Sequence, residues 1–196
     1  MQATARMASV VSSTPPARRR LIRVVRPLPS LTQRTHNHMN SGYQALIDHF
    51  TANEWNVDRD DEKQVIHAGY TGDNAQLRCA ATVNEDDDLC QCFTIIPAKV
   101  PTEKRVAIAE LCIRASYAMK VGHFEFDMDD GEIRFHASAP YPTGNLADSV
   151  IRHILVISLL MADQYYPAFM SVLFAGTSPK DAVLAIEQKL DEPNGA

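Results

Sequence analysis

The chain has 196 residues, 45% of them hydrophobic, and a formal net charge of −5; this is apolar material enough for a single core and points to one domain with a tail. The charge is unevenly placed, because residues 1–38 hold seven arginines (Arg6, Arg18, Arg19, Arg20, Arg23, Arg26 and Arg34) and no acid, which leaves 12 Lys+Arg against all 24 acids, or −12, in the other 158 residues. A body of that charge repels phosphate backbones, which argues against a nucleic-acid-binding domain there.

The first segment, residues 1–38, is punctuated by Pro15, Pro16, Pro27 and Pro29 and lacks an apolar run long enough for a membrane span or a secretory signal. Three readings compete for it: a disordered basic arm, an organelle transit peptide, or translation from a start placed too far upstream, with Met39 the true start. The last is preferred, because globular pattern begins and the charge flips within a few residues of Met39. In all three the segment stays outside the fold.

From Ser41 a short helix is expected, with Tyr43, Leu46, Ile47 and Phe50 on one stripe and Asn40 or Ser41 as cap. Trp55 and Val57 open a strand, Asp58 to Glu62 is a charged turn, and Gln64 to Tyr70 reads as a second strand in which Gly69 could mark a bulge. After the turn at 71–74, Leu77, Cys79, Ala81 and Val83 alternate with polar neighbours as a third strand. Glu85-Asp86-Asp87-Asp88 breaks the alternation, and Leu89 to Ile96 resumes it. The four acids read as a solvated hairpin tip that protects the sheet from edge-to-edge pairing, rather than as a cation site.

Pro97 and Pro101 close this segment, and a second helix runs from Thr102 to about Lys120, with Gly122 as its stop. Ile108, Leu111, Cys112, Ala115 and Met119 form its buried stripe; Val106, Ala109, Ile113 and Tyr117 widen it, and Glu110 pairs with Arg114 outside. Phe124 to Tyr141 then holds two alternating runs around Asp130-Gly131, with Phe124, Phe126, Met128, Ile133, Phe135, Ala137 and Ala139 on the buried face and Glu132, Arg134, His136 and Ser138 on the other. This is a β-hairpin joining two helices to one sheet.

Pro140, Pro142 and Gly144 make a rigid link, after which Asn145 caps a long helix rich in Leu, Ile and Val. Asp148, Arg152 and His153 argue against its crossing a membrane. The helix is apolar nearly all round and must be covered twice. The face that carries Asp148 and Arg152 continues through Val156 and Leu159, so Arg152, Val156 and Leu159 are the candidate dimer or partner face. Pro167 kinks or restarts the helix and Gly176 ends it; Ser178-Pro179 with Asp181 begins a last helix carrying Val183, Leu184, Ile186 and Leu190, and residues 191–196 should fray.

No motif supplies a reaction. The chain has no glycine-rich phosphate loop, no Gly-x-Ser-x-Gly elbow and no His-Glu-x-x-His, and a calcium loop starting at Asp127 would put Glu132 where glycine is needed. The seven histidines are scattered along the chain. The four cysteines, Cys79, Cys90, Cys92 and Cys112, lack zinc-site spacing and are expected to be reduced and buried. No cofactor, metal or catalytic residue is therefore assigned.

The order α-β-β-β-β-α-β-β-α-α, with Phe-Glu-Phe-Asp-x-x-Asp-Gly-Glu-Ile-Arg-Phe at residues 124–135, resembles the YbjN family of bacterial sensory-transduction regulators over about residues 41–188. The resemblance implies an α+β fold like that of type III secretion chaperones, an antiparallel sheet packed by helices, and a non-catalytic role facing other proteins. The expected molecule is a single domain over 39–190, cytoplasmic and dimeric, that binds another protein or peptide segment through a free sheet edge or groove as a regulator or chaperone-like adaptor. The alternative is a small-ligand sensor with a pocket between helices and sheet.

Overall fold

Strand alternation and helical stripes build a two-layer α+β structure in the computed structural model, which describes residues 42–117, 119–141 and 145–191, without the side chains of Leu190 and Asp191. The basic arm expected over 1–38, Met39, the caps Asn40 and Ser41, Pro142 and Gly144 of the link, and the tail 192–196 lie outside the described residues.

Helix α1 (Gly42–Ala52) is followed by strands β1 (Val57–Asp60), β2 (Val65–Thr71), β3 (Gln76–Asn84) and β4 (Leu89–Ile95), a short 3-10 turn and helix α2 (Arg105–Ser116), the hairpin β5 (His123–Phe126) and β6 (Ile133–Pro140), and helices α3 (Asp148–Phe174) and α4 (Pro179–Asp191). The element order is the one expected. The six strands form one antiparallel sheet in the order β1-β2-β3-β4-β6-β5, so β1 and β5 are its edges.

The strands bury one face each: Ile66 and Ala68, then Leu77, Cys79, Ala81 and Val83, then Cys90, Cys92 and Thr94, then Ile133, Phe135 and Ala137, with Phe124 on the edge. Helix α3 packs on β3, β4 and β6, α1 sits beside it over β3, α2 covers β5, and α4 lies on α2 and α3. The opposite sheet face, including His67, Arg78 and Ser138, is open among the described residues. Phe169 of α3 is fully buried 5.1 Å from Phe124, which in turn stands 5.0 Å from Phe135, all edge-on. This aromatic knot joins hairpin to helix. By length and composition α3 could cross a membrane, yet half of its most apolar window is buried inside the fold.

Two polar anchors fix the middle of α3. Ser158 Oγ is 2.7 Å from Thr94 Oγ1, both residues fully buried. Asp163, 5% exposed, accepts from the backbone N–H groups of Asp73, Asn74 and Ala75 and from Asn74 Nδ2, at 3.0 to 3.1 Å. A Cβ at Gly72 would collide with that carboxylate, so glycine is required there. The cysteines are free and buried, as expected. Burial pushes the Cys90 and Cys112 thiols up to about 12, which leaves them inert.

Several local expectations change. Trp55 lies before β1 and packs edge-on against Phe50, while β1 runs on to Asp60, so the charged turn falls at 61–64. The β2–β3 register is unbroken through Gly69↔Arg78, so Gly69 is not a bulge. Helix α2 stops at Ser116, short of Lys120, because its terminal hydroxyl accepts the Phe124 N–H at 2.9 Å and the chain must already be turning into β5; Gly122 takes φ +76 in that link. Met128 is exposed, because β5 ends at Phe126 and Asp127 to Glu132 form a loop: Asp127 Oδ1 accepts from the N–H groups of Asp129 and Asp130, and Gly131 takes φ +77.

Ala147, extended and without a side-chain bond, occupies the position given to Asn145 at the start of α3, and the Asp148 carboxylate is held instead by His49 Nδ1 of α1 at 2.5 Å. Helix α3 passes Pro167 without restarting, at the cost of one backbone bond to the carbonyl four residues back. Gly176, φ +72, ends it as expected, and Ser178 caps α4 by accepting from the Asp181 N–H at 3.2 Å.

A candidate protein-binding groove beside an open sheet edge

Of the helical stripe expected to widen the buried face of α2, Ala109 is half-buried and the three large residues lie in solvent. Val106 is 75% exposed, Ile113 72% and Tyr117 92%. At 100° per residue these positions stand beyond the stripe of Ile108, Leu111, Cys112 and Ala115 that meets the sheet and α4. A row of large apolar side chains on solvent is costly unless something covers it. Glu110 and Arg114 pair at 2.7 Å on the same outer side, as expected, and give the row a charged rim.

Next to Ile113 and Tyr117 of this row runs the β5 edge. Ala109 and Ile113 from α2 and Tyr117 just past its end, with His123, Phe124 and Phe126 from β5, line an apolar groove of about 450 Å³. In an antiparallel pair alternate residues turn their backbone groups to opposite sides. The Phe124 N–H points away from β6 to Ser116 Oγ, while the Asp127 N–H bonds inward to the Glu132 carbonyl at 2.9 Å. Phe126 therefore turns its N–H and C=O to the open edge, at the mouth of the groove. Arg105 Nη1, 2.7 Å from the Met128 carbonyl, ties the start of α2 to the hairpin loop and fixes the width between helix and strand.

The other edge is unlike it. β1 reads Val-Asp-Arg-Asp, with Lys63 on Asp60 and Arg59 on Asp61 at 2.8 Å each, and Asp61 also accepts from Tyr43 Oη at 2.7 Å. Charges of this kind blunt a sheet edge. The acidic tip is likewise solvated, with Asn84 Oδ1 accepting from the N–H groups of Asp86 and Asp87.

The residues named from the sequence as a dimer or partner face separate. Arg152 is exposed and Val156 is 44% exposed, but Leu159 is only 3% exposed and belongs to the core. The ridge that reaches solvent runs Arg152, Val156 and Leu160, the last 41% exposed. Leu159 lies one turn before Asp163, the buried carboxylate that accepts from the turn at 73–75, on the covered side of the helix.

One group went unread in the sequence. His123, Glu125 and His136 converge on the open sheet face, with His123 opposite His136 and Glu125 opposite Arg134 in the β5–β6 register. Burial works to raise the Glu125 carboxyl, but bonds from Arg134 Nε at 2.6 Å and His136 Nδ1 at 2.9 Å outweigh it and hold the group below the usual carboxylate range. The strand alternation was legible; the register that brings the two histidines opposite each other was not.

The family model YbjN, described as "Putative bacterial sensory transduction regulator", matches residues 43–171. The chain belongs to the YbjN family. The match takes in every element of this YbjN chain from α1 through most of α3, and so includes the groove and the β5 edge. Among solved structures, the family member is similar to the crystal structure of YbjN from E. coli, with 9% identity and a TM-score of 0.47 over 62% of this chain and 86% of that one. It is also similar to the ExsC-ExsE complex (13% identity, TM-score 0.42, 64% of this chain and 90% of that one) and to the HopA1-SchA chaperone-effector complex (12%, 0.41, 61% and 88%). No curated protein matches the chain.

Proposed function

We propose that this YbjN-family chain is a cytoplasmic, non-catalytic regulator or chaperone-like adaptor that binds an extended segment of another protein, folding as one domain over 39–190. The observation that carries this is that Ile113 and Tyr117, exposed on one stripe with Val106, line an apolar groove with the β5 edge. A segment laid along the groove places alternate apolar side chains between α2 and β5, and its backbone meets the outward N–H and C=O of Phe126. The family description as a regulator fits a protein that acts by binding. Four free cysteines suit a reducing compartment. The chain dimerises through the Arg152, Val156 and Leu160 ridge, which leaves the groove free.

The test compares the wild-type chain with an Ile113→Asp/Tyr117→Asp double variant as bait in source-cell extract under mild crosslinking. Both positions are largely exposed, so the melting temperature should hold. A partner recovered at near-equal amount by the wild type, and bound at least about thirtyfold more weakly by the variant, is expected if the row is the centre of the interface. Equal recovery by both, or none by either, overturns the assignment. Stabilisation of the wild type by a nucleotide or metabolite, lost in the same variant, would instead make the groove a small-ligand site.

A further inference from the structure

The sheet face opposite the helices carries a cluster of side chains of which the docking groove takes in only His123. His123 and His136 are cross-strand neighbours, and Glu125 sits two residues along β5 on the same side. His123 Nε2 is 3.2 Å and His136 Nδ1 2.9 Å from one and the same oxygen, Glu125 Oε1. One donor atom from each of the three lies within 4.8 Å of the other two. Tetrahedral bonds of about 2.0–2.2 Å hold ligand atoms roughly 3.3 Å apart, so the trio stands near coordination spacing.

We propose that His123, Glu125 and His136 bind a divalent transition-metal ion of the zinc class, with a coordination position left open to water or to a ligand from a partner. Two imidazoles and a carboxylate suit zinc, cobalt or nickel; magnesium and calcium take oxygen ligands. The neighbours hold the ligands in place. Arg134 Nε bonds Glu125 Oε2 at 2.6 Å, which fixes the carboxylate and leaves Oε1 for the ion. Phe93 stacks on the His136 ring at 4.4 Å, and Gln91 lies 3.1 Å from His136 Nε2 through its amide. Turned over, that amide offers an oxygen to Nε2–H when Nδ1 is on the metal, the second hydrogen bond that a ligating histidine usually makes.

Arg134, whose guanidinium also lies 4.7 Å over Phe93, opposes a nearby cation, and the ionised Glu125 offsets it. With His123 52% exposed, the ion exchanges readily with solvent. This site does not depend on the docking reading, and either can fail alone.

Calorimetric titration of the EDTA-treated full chain with ZnCl2 and CoCl2, beside His123→Ala and Glu125→Gln, tests the proposal. The wild type should saturate at one equivalent, with visible cobalt bands, and each variant should bind at least about tenfold more weakly while keeping its metal-free melting temperature. Absence of saturable binding overturns the proposal and leaves the group as an ion-pair network. Binding of equal strength in both variants places the metal elsewhere and overturns it equally.

Discussion

Leu159→Asp is expected to cost the fold, not just an interface. At 3% exposure the side chain belongs to the core cluster, so the substitution removes a full leucine's burial and puts a carboxylate into a hydrophobic cluster. Losing the leucine alone costs about 2–5 kcal/mol, and an unpaired buried charge adds several more. The sum is comparable to the whole stability of an ordinary domain, about 5–15 kcal/mol. The variant should be insoluble, or should lose its cooperative thermal transition. Val156→Asp with Leu160→Asp is the surface counterpart, and since both positions are more than two-fifths exposed, it should leave stability within about 1 kcal/mol of wild type. On sizing, that pair reports on the α3 ridge as a dimer contact, which Leu159→Asp cannot do. A cooperatively folded Leu159→Asp chain with wild-type melting would show that the helix does not sit as described.

Asp163→Ala is the second large effect. The carboxylate gathers three backbone N–H groups and one amide from the turn between β2 and β3, spaced 88 to 90 residues away in the chain. Hydrogen bonds to a charged group contribute about 1.5–3 kcal/mol each but do not add, and the turn is open enough for water to reach some freed donors, so a net loss of about 3 kcal/mol is expected. For a chain of this size that is a fall of roughly 6–12 °C in melting temperature. Asp163→Asn should recover little, because its NH2 would face N–H groups. Gly72→Ala should destabilise by collision with the same carboxylate, and the double variant Gly72→Ala/Asp163→Ala should lose less than the sum, since each change relieves part of the other's damage. A loss below about 1 kcal/mol on Asp163→Ala, read by urea unfolding, would mean that the anchor does not hold the turn.

Periodicity carries most of the architecture. The alternations around Leu77 to Val83 and Ile133 to Ala137 name one buried face each, and every expected strand and helix is present in order. What alternation cannot carry is which of two apolar stripes on a helix finds a cover. On α2 the second stripe, Val106 to Tyr117, has the composition of a core and lies in solvent; on α3 Leu159 has the position of a surface residue and belongs to the buried core cluster. Both outcomes are set by tertiary neighbours. Register is lost in the same way. A two-residue turn at Asp130-Gly131 would have set Glu125 against His136, whereas the loop from Asp127 to Glu132 shifts the pairing and sets His123 there. The faces survive such a shift because it is even, but the constellation on them does not.

The bond between Asp163 and the turn at 73–75 also sets an order of events in folding. Strands β1 to β4 are joined by short connections and can pair early, by local search. Their middle turn, however, has no acceptor for its amides until α3, almost ninety residues later in the chain, has been made and docked. Protection of the Asp73, Asn74 and Ala75 amides against exchange is therefore a clock for the arrival of α3, not for closure of the hairpin in which those residues sit.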